Sequence, residues 1–447
     1  MIATIISICL LLAALIQYNK GKYAWPLFIL IFFASDAFII NFGATPIKYK
    51  DFGILLLLGC SFIGFQKNTS FFLIKRLSGA KISALFLIFF IFEFLYAYLT
   101  DIDTIGNILA VSRDYLYALT YFVFRKSPVE ELQKGIRLIF KGVILACVFF
   151  VVQYFTHLEL TNSYISETNM LSGNYRMQVT PPFMDLILLA TLFYLRKMKV
   201  KWLVIVLMFS VFLISQNRTP IVAIFFEIGL FVLFARKTKY KIPVMLAAMV
   251  AFPFVNSLLA SRSEEEGGTN NMEVPVFTYI SQGDYQGLAT QSTFMFRIAL
   301  IAERADYLFS NPAKMLLGVG PMHEDTAQKH FNFRVGTGNI DSNNQARISQ
   351  LDSIDTVWGP VLIRYGFIGL ILHISIVVWM ILAFYKRREN PIMMLGFLTY
   401  VAAVAQSISA GGMFLLLGIT TMMGFLIIYD RNISYSVEEC NLIQYKK

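Results

Sequence analysis

Apolar residues along this chain fall into long runs separated by short polar connections. A membrane-spanning helix needs about 20 mostly apolar residues, within a range of about 17–25. Thirteen runs approach that length: 2–17, 25–42, 52–66, 82–100, 105–124, 138–156, 181–195, 202–215, 219–235, 242–259, 361–385, 391–409 and 411–429. They predict an all-α, polytopic integral membrane protein with about 12–14 transmembrane helices, the short runs 2–17, 52–66 and 202–215 leaving the number open. The first run lacks a basic leader and an A-x-A site, and a second run follows closely, so it reads as a span and not as a signal peptide. No repeat of about 20–50 residues is visible.

The polar connections orient the spans. Basic residues concentrate in every second connection: Lys20 and Lys22; Lys67, Lys75, Arg76 and Lys81; Arg125, Lys126, Lys134, Arg137 and Lys141; Arg196 to Lys201; Arg236 to Lys241; Lys386 to Arg388; then Arg431, Lys446 and Lys447. The connections between them are poorer in Lys and Arg and carry Asp51, Asp101, Asp103, Glu159 and Glu167. Lys and Arg mark cytoplasmic loops, so the alternation predicts an outer N-terminus and an inner C-terminus. The expected organisation is transmembrane helices 1–10 in residues 1–259, a large extracytoplasmic loop over 260–360, helices 11–13 over 361–429, and a cytoplasmic tail from 430 to 447.

Composition agrees. The chain of 447 residues is 57% hydrophobic and 15% charged, with 42 Phe, and its mean hydropathy is +0.63. Soluble domains carry about 45–50% apolar and about 25% charged residues. Disordered chains, collagen-like repeats and ordinary cytosolic enzymes are thereby excluded. The net charge of +10 lies in clusters between apolar runs; it records orientation and not an affinity for nucleic acid. Cys9, Cys60, Cys147 and Cys440 are scattered, without metal-ligand spacing, and read as packing residues.

The interval 260–360 stands apart. It opens on a polar stretch, Ser261 to Asn271, that contains Glu264-Glu265-Glu266. Phe294 to Phe309 then shows apolar residues at helical spacing, with Arg297, Glu303, Arg304 and Asp306 on other faces. Asn311-Pro312 stops that helix, and Leu317-Gly318-Val319-Gly320-Pro321 predicts a tight turn. A channel or small transporter has no need of such a loop, whereas an enzyme holding a large polar substrate against the outer face does.

An ionisable residue within a span is costly and is a functional candidate by default. Asp36, Glu93, Arg113-Asp114, Asp185 and Glu227 qualify; each has a structural alternative as one half of an ion pair or a snorkelling side chain. The arginines are more pointed. Arg218 lies in a polar break, Ser215 to Pro220; Arg176 precedes a span on the same side; Arg364 stands where the loop re-enters. With Arg113, they form a set expected at the outer interface, below Arg297 and Arg304 of the loop helix. Guanidinium binds phosphate bidentately and never loses its charge, and this set departs from the scarcity of basic residues expected outside, so it points to a pyrophosphate-linked lipid.

Acid–base candidates are Asp352, Asp355, Asp341, His323 and His330. Asp352 and Asp355 stand at i and i+3, on one face if helical. Either could serve as a general base beside a sugar hydroxyl or cap a helix. No HExxH, Walker loop or GxSxG motif occurs, and no carboxylate cluster resembles a Mg²⁺ cage, so no metal or cofactor is expected.

Three stretches together resemble the bacterial O-antigen polymerase and ligase superfamily of membrane glycosyltransferases (Wzy-type and related). Leu213 to Thr219 resembles that family's arginine-bearing junction between two spans. Phe296-Arg297-Ile298, then Asn311-Pro312 and Leu317-Gly318-Val319-Gly320, resembles its loop pattern. Asp355-Thr356-Val357-Trp358, followed by Arg364-Tyr365-Gly366, resembles its loop exit. The resemblance implies transfer of a glycan from undecaprenyl pyrophosphate at the outer face of the bacterial inner membrane, without a cofactor. Arg218 and Arg297 match that family's arginine positions; with Arg176, Arg364, Arg113, Arg304 and Tyr365 from the residue reading they make up the expected pyrophosphate-binding set. The resemblance leaves the base open, and Asp355 or Asp352 is the expected one from the chemistry alone. Implied partners are undecaprenyl-pyrophosphate-linked oligosaccharides, membrane lipid and a chain-length regulator. Ligases of this family have a His where this chain has Asp355, which favours a polymerase of O-antigen, capsule or exopolysaccharide. A ligase, and a lipid-linked oligosaccharide flippase, are the competing readings.

Overall fold

The computed structural model describes residues 2–35, 47–68, 71–72, 78–161, 164–166, 176–178, 180–194, 198–215, 218–234, 276–289, 293–327, 336–340, 346–348, 358–407 and 416–431. Where they are described, the apolar runs are helical. They are α1 (Ile2–Asn19), α2 (Ala24–Ala34), α3 (Tyr49–Lys67), α4 (Ser78–Leu99), α5 (Ile105–Ser112), α6 (Leu119–Phe124), α7 (Val129–Thr156), α8 (Met184–Tyr194), α9 (Met198–Ser215) and α10 (Arg218–Phe234). The loop contributes α11 (Val276–Gln282), α12 (Tyr285–Ala289), α13 (Thr293–Phe309), α14 (Pro312–Leu317) and α15 (Glu324–Ala327). The chain closes with α16 (Trp358–Lys386), α17 (Pro391–Gln406) and α18 (Leu416–Arg431). The expected run 242–259, and the polar stretch 261–271, lie outside the described residues.

Among the described residues, four helices, α1, α4, α7 and α16, are long and apolar enough to cross a membrane. Their outward faces carry large apolar side chains. Ile5, Leu12 and Ile16 of α1 are exposed, whereas its buried positions are the small Ala3, Ser7 and Ala14 together with Tyr18. A helix apolar all round, with small residues turned inward, belongs in lipid and not in water. By contrast, α2 and α8 have 11 residues each. At 1.5 Å per residue they are about 16 Å long, near half of the ~30 Å hydrocarbon layer.

Two expectations are corrected. The run 105–124 is not one helix: α5 ends at Ser112, a 3₁₀ turn covers Arg113–Ala118, and α6 follows. The reason is that Arg113 and Asp114 are drawn to α3, Arg113 Nη1 to Asp51 Oδ1 at 2.6 Å and Asp114 Oδ1 to Lys50 Nζ at 3.1 Å, and these two adjacent ion pairs tighten the chain locally against the apolar period. The second concerns the polar connections, expected to hold only loops and short helices; the all-α class itself stands. β1 (Tyr164–Ser166) pairs antiparallel with β2 (Arg176–Gln178), and β3 (Gly336–Ile340) with β4 (Ala346–Ile348). These two small ribbons lie in the polar connections, where no apolar period signals them. Of the cysteines, Cys60 and Cys147 are buried packing residues and Cys9 is exposed.

Long-range bonds define the two ends of the bundle. At one, the Asp430 carboxylate accepts from the Ser78 and Gly79 amides at 3.1 and 2.7 Å and from the Tyr121 hydroxyl at 2.7 Å. It thereby caps the first turn of α4, where the unsatisfied amides and the helix dipole favour an anion. Arg431 bonds the carbonyls of Arg125 and Ser127, and Glu131 accepts from the Ala24 amide at 3.2 Å. The basic connections 20–22 and 125–134 therefore meet at this end. The opposite end carries the Lys50, Asp51, Arg113 and Asp114 network and receives the loop.

Candidate functional site

The loop helix α13 spans Thr293–Phe309 as the periodicity predicts. Asn311-Pro312 both ends it and starts another helix. The Asn311 side chain accepts from the Ala313 amide at 2.9 Å, and Pro312 sits in the first turn of α14, which suits a residue without an amide hydrogen. The glycine turn follows, with Gly318 at φ 75° and Gly320 at φ 78°.

That turn lands on a broken helix. Within α16, Gly366 has φ 59° and ψ −164°, so a short half-helix ends at Tyr365 and a long one starts beyond it. The carbonyls of Ile363 and Arg364 accept from the Val319 and Gly320 amides, both at 2.9 Å. Two stretches of backbone satisfy each other here, as buried amides and carbonyls must. The fit is too close for side chains. A Cβ on Gly318 would lie 2.3 Å from the Arg364 carbonyl oxygen, and one on Gly366 would lie 2.4 Å from that of Leu316. α4 supports the junction from the side, as the Tyr96 hydroxyl donates to the Gly318 carbonyl at 3.3 Å. A small core of Leu308, Val319, Met322, Ala327 and Ile363 seals it.

A third segment docks beside it. Asp103, between α4 and α5, accepts from the His323 amide at 3.0 Å, from the Asn107 side chain at 2.8 Å and from the Thr104 amide at 2.7 Å. Partial burial works against this carboxylate, but these hydrogen bonds outweigh it and hold its pKa below the ordinary carboxylate range.

Beneath the junction runs a chain of polar groups enclosed by rings. Tyr365 is buried, with its ring 5.1 Å from Phe89 and stacked on His373 at 5.8 Å. The Tyr115 hydroxyl lies 2.9 Å from His373 Nε2, and His373 Nδ1 lies 2.7 Å from the Gly369 carbonyl. A carbonyl only accepts, so Nδ1 carries the proton, and in the neutral ring Nε2 accepts from Tyr115. The Tyr115 and Tyr365 rings meet edge to face at 5.7 Å.

The structure thus brings together two of the three family-like stretches, the loop turn and the loop exit, and it places Arg364 and Tyr365 at their contact. Arg113 is adjacent, because Tyr115, two residues further on, sits 5.7 Å from the Tyr365 ring. Its guanidinium is held by Asp51. Arg297 and Arg304 share a face of α13, seven residues apart. Arg304 is only 1% exposed and turns back on its own helix, to the Leu300 carbonyl at 3.0 Å and Glu303 at 3.5 Å, so it braces the loop instead of facing outward with the set. Arg218 opens α10 and Arg176 opens β2. Asp352, Asp355, Asp341 and His330 lie outside the described residues, as does Asp36. Of the remaining charged residues expected within spans, Glu227 is fully buried in α10 and Asp185 stands in the first turn of α8.

Tyr115, His373 and Tyr96 are site residues that the sequence reading passes over. One signal was present: His373 is an ionisable residue inside the apolar run 361–385, missed because it carries no formal charge at neutral pH. Among the described residues, no group of three or more His, Cys, Asp or Glu side chains could hold a metal ion. The chain matches no known family profile, and no curated protein is similar to it.

Proposed function

We propose that the chain is a polysaccharide polymerase of the bacterial inner membrane. It joins oligosaccharide repeat units carried on undecaprenyl pyrophosphate, at the outer face, with the loop 260–360 extracytoplasmic and about 12–14 spans beneath it. The observation that carries the reading is the docking of the glycine turn at Gly318–Gly320 onto the broken helix at Arg364-Tyr365-Gly366. It fastens an extended polar loop to the membrane body at an arginine, the place where a lipid-anchored pyrophosphate meets water.

The chemistry needs little else. Pyrophosphate is a good leaving group, so the donor lipid already stores the energy of transfer and no nucleotide is required. Arginine stabilises the charge that develops on the departing phosphate, commonly the largest catalytic contribution. Holding donor and acceptor together supplies much of the remainder. Arg364, 9% exposed and next to the break, and Arg218 are the residues assigned to the pyrophosphate.

The test is complementation of a strain lacking the gene, with surface glycan resolved by size. The deletion should carry single-repeat glycan. Wild type should restore a ladder, and Arg218→Ala and Arg364→Ala should not. Full-length glycan retained on the carrier lipid in the deletion would make the protein a ligase, and loss of all outer-face glycan would make it a flippase.

A further inference from the structure

Beside the junction lies a cavity of about 330 Å³ between α4 and α16. Phe89, Glu93, Leu317, Tyr365, Gly369 and Ser375 contribute to its wall. The size is at the small end of ligand pockets, about 300–1,000 Å³, with room for one sugar ring and not for a whole repeat unit. Its rim is formed by Phe92, Ile368 and Ile371, about half exposed on the outward faces of the two helices, so it opens sideways. Glu93 is 2% exposed, and its Oε2 has no hydrogen-bond partner among the described residues. A buried carboxyl oxygen left without a partner costs stability. In this wall, whose other polar side chains are only the hydroxyl-bearing Tyr365 and Ser375, it is an acceptor waiting for a donor. Glu93 stands six residues before the end of α4, about 9 Å down the helix from the end that receives the loop.

The ligand's chemistry follows from the charges. A buried carboxyl with no ion pair among the described residues offers pyrophosphate no counter-charge, whereas a guanidinium does, so the donor's phosphates belong on the Arg364 side of Tyr365. A hydroxyl is what Glu93 can hold. We propose that Glu93 is the catalytic base of the transferase, and that the cavity receives the acceptor sugar of a lipid-linked glycan entering laterally between α4 and α16. This rests on the polymerase reading and names the group that reading leaves open. The acceptor hydroxyl gives its proton to Glu93 Oε2. Its oxygen bonds to the anomeric carbon of the donor, and the bond from that carbon to the pyrophosphate oxygen breaks, the electron pair leaving with the pyrophosphate.

The experiment uses membrane vesicles bearing the full-length protein, supplied with the undecaprenyl-pyrophosphate-linked repeat unit extracted from the deletion strain. Wild type should extend it. Glu93→Gln keeps the shape and removes the base, and its rate should fall about 10²–10⁴-fold at equal membrane abundance. Glu93→Ala should lose activity and regain part of it with added formate, which fits the vacated space and carries a carboxylate. Wild-type extension with an undiminished Glu93→Gln rate overturns the role of Glu93 and leaves the polymerase standing. Formate that restores nothing to Glu93→Ala likewise overturns it, and decides the matter if Glu93→Gln fails to accumulate. No extension by wild type overturns the polymerase reading and this inference with it.

Discussion

Replacing Gly366 by alanine tests the junction directly. At φ 59° and ψ −164°, Gly366 occupies a region open almost only to glycine, and a side chain there costs about 1–3 kcal/mol of backbone strain. The added Cβ would also lie 2.4 Å from the Leu316 carbonyl oxygen and 2.5 Å from the Gly318 amide nitrogen. Both are backbone atoms of a turn that is itself hydrogen-bonded to α16, so neither can swing aside as a flexible side chain would. Overpacking of this kind typically adds about 1–3 kcal/mol. The expected loss is therefore about 2–6 kcal/mol, a large fraction of the stability of most domains. The natural control is Gly229→Ala, a helical site in α10 where a Cβ meets nothing within 4 Å; there alanine should be neutral or stabilising by up to about 1 kcal/mol. Reversible unfolding in mixed detergent micelles gives both free energies. A Gly366→Ala protein as stable as Gly229→Ala would refute the account of α16 as a broken helix locked by the loop.

Two further outcomes follow from the same region. Tyr115→Phe removes the hydroxyl that bonds His373 Nε2 at 2.9 Å and should cost about 1–3 kcal/mol in the same unfolding measurement, the range for disrupting a buried hydrogen bond; an unchanged free energy would mean that the Tyr115–His373 link contributes nothing. Asp103 has a pKa below its ordinary value, so its docking of the His323 amide is fully present above the unfolded carboxylate value of about 3.9 and is lost as pH falls through the lower folded value. Hydrogen-exchange protection at His323 should accordingly persist through mild acid and decline only in strong acid, and Asp103→Asn should remove that dependence.

The sequence made the helices visible because lipid imposes one simple demand, a long apolar run, and α1, α4, α7 and α16 satisfy it. The loop helix α13 was equally readable, since its apolar period survives among charges. What escaped were features set by distant partners. Nothing local tells that Arg113 and Asp114 will find Asp51 and Lys50 and convert a span into a 3₁₀ turn. The break at Gly366 was hidden because an apolar run reads the same whether or not its helix is continuous, and one glycine is a weak signal until the glycine turn is seen to need its space. In the candidate site, Arg364, Tyr365 and the glycine turn were identified as separate stretches, but their contact is a tertiary fact. Glu93 was marked by its charge alone; the cavity that gives it meaning belongs to the packing.

The bonds from Asp430 to the Ser78 and Gly79 amides link residues 351 or more positions apart. A ribosome adding about 5–20 residues per second needs roughly 20–70 s to travel that distance. Throughout that interval the Ser78 and Gly79 amides at the first turn of α4 wait for their acceptor. α18 therefore acts as a latch on a helix made much earlier, and this contact closes only once α18 has been made. A nascent or truncated chain that stops short of α18 leaves that helix terminus open.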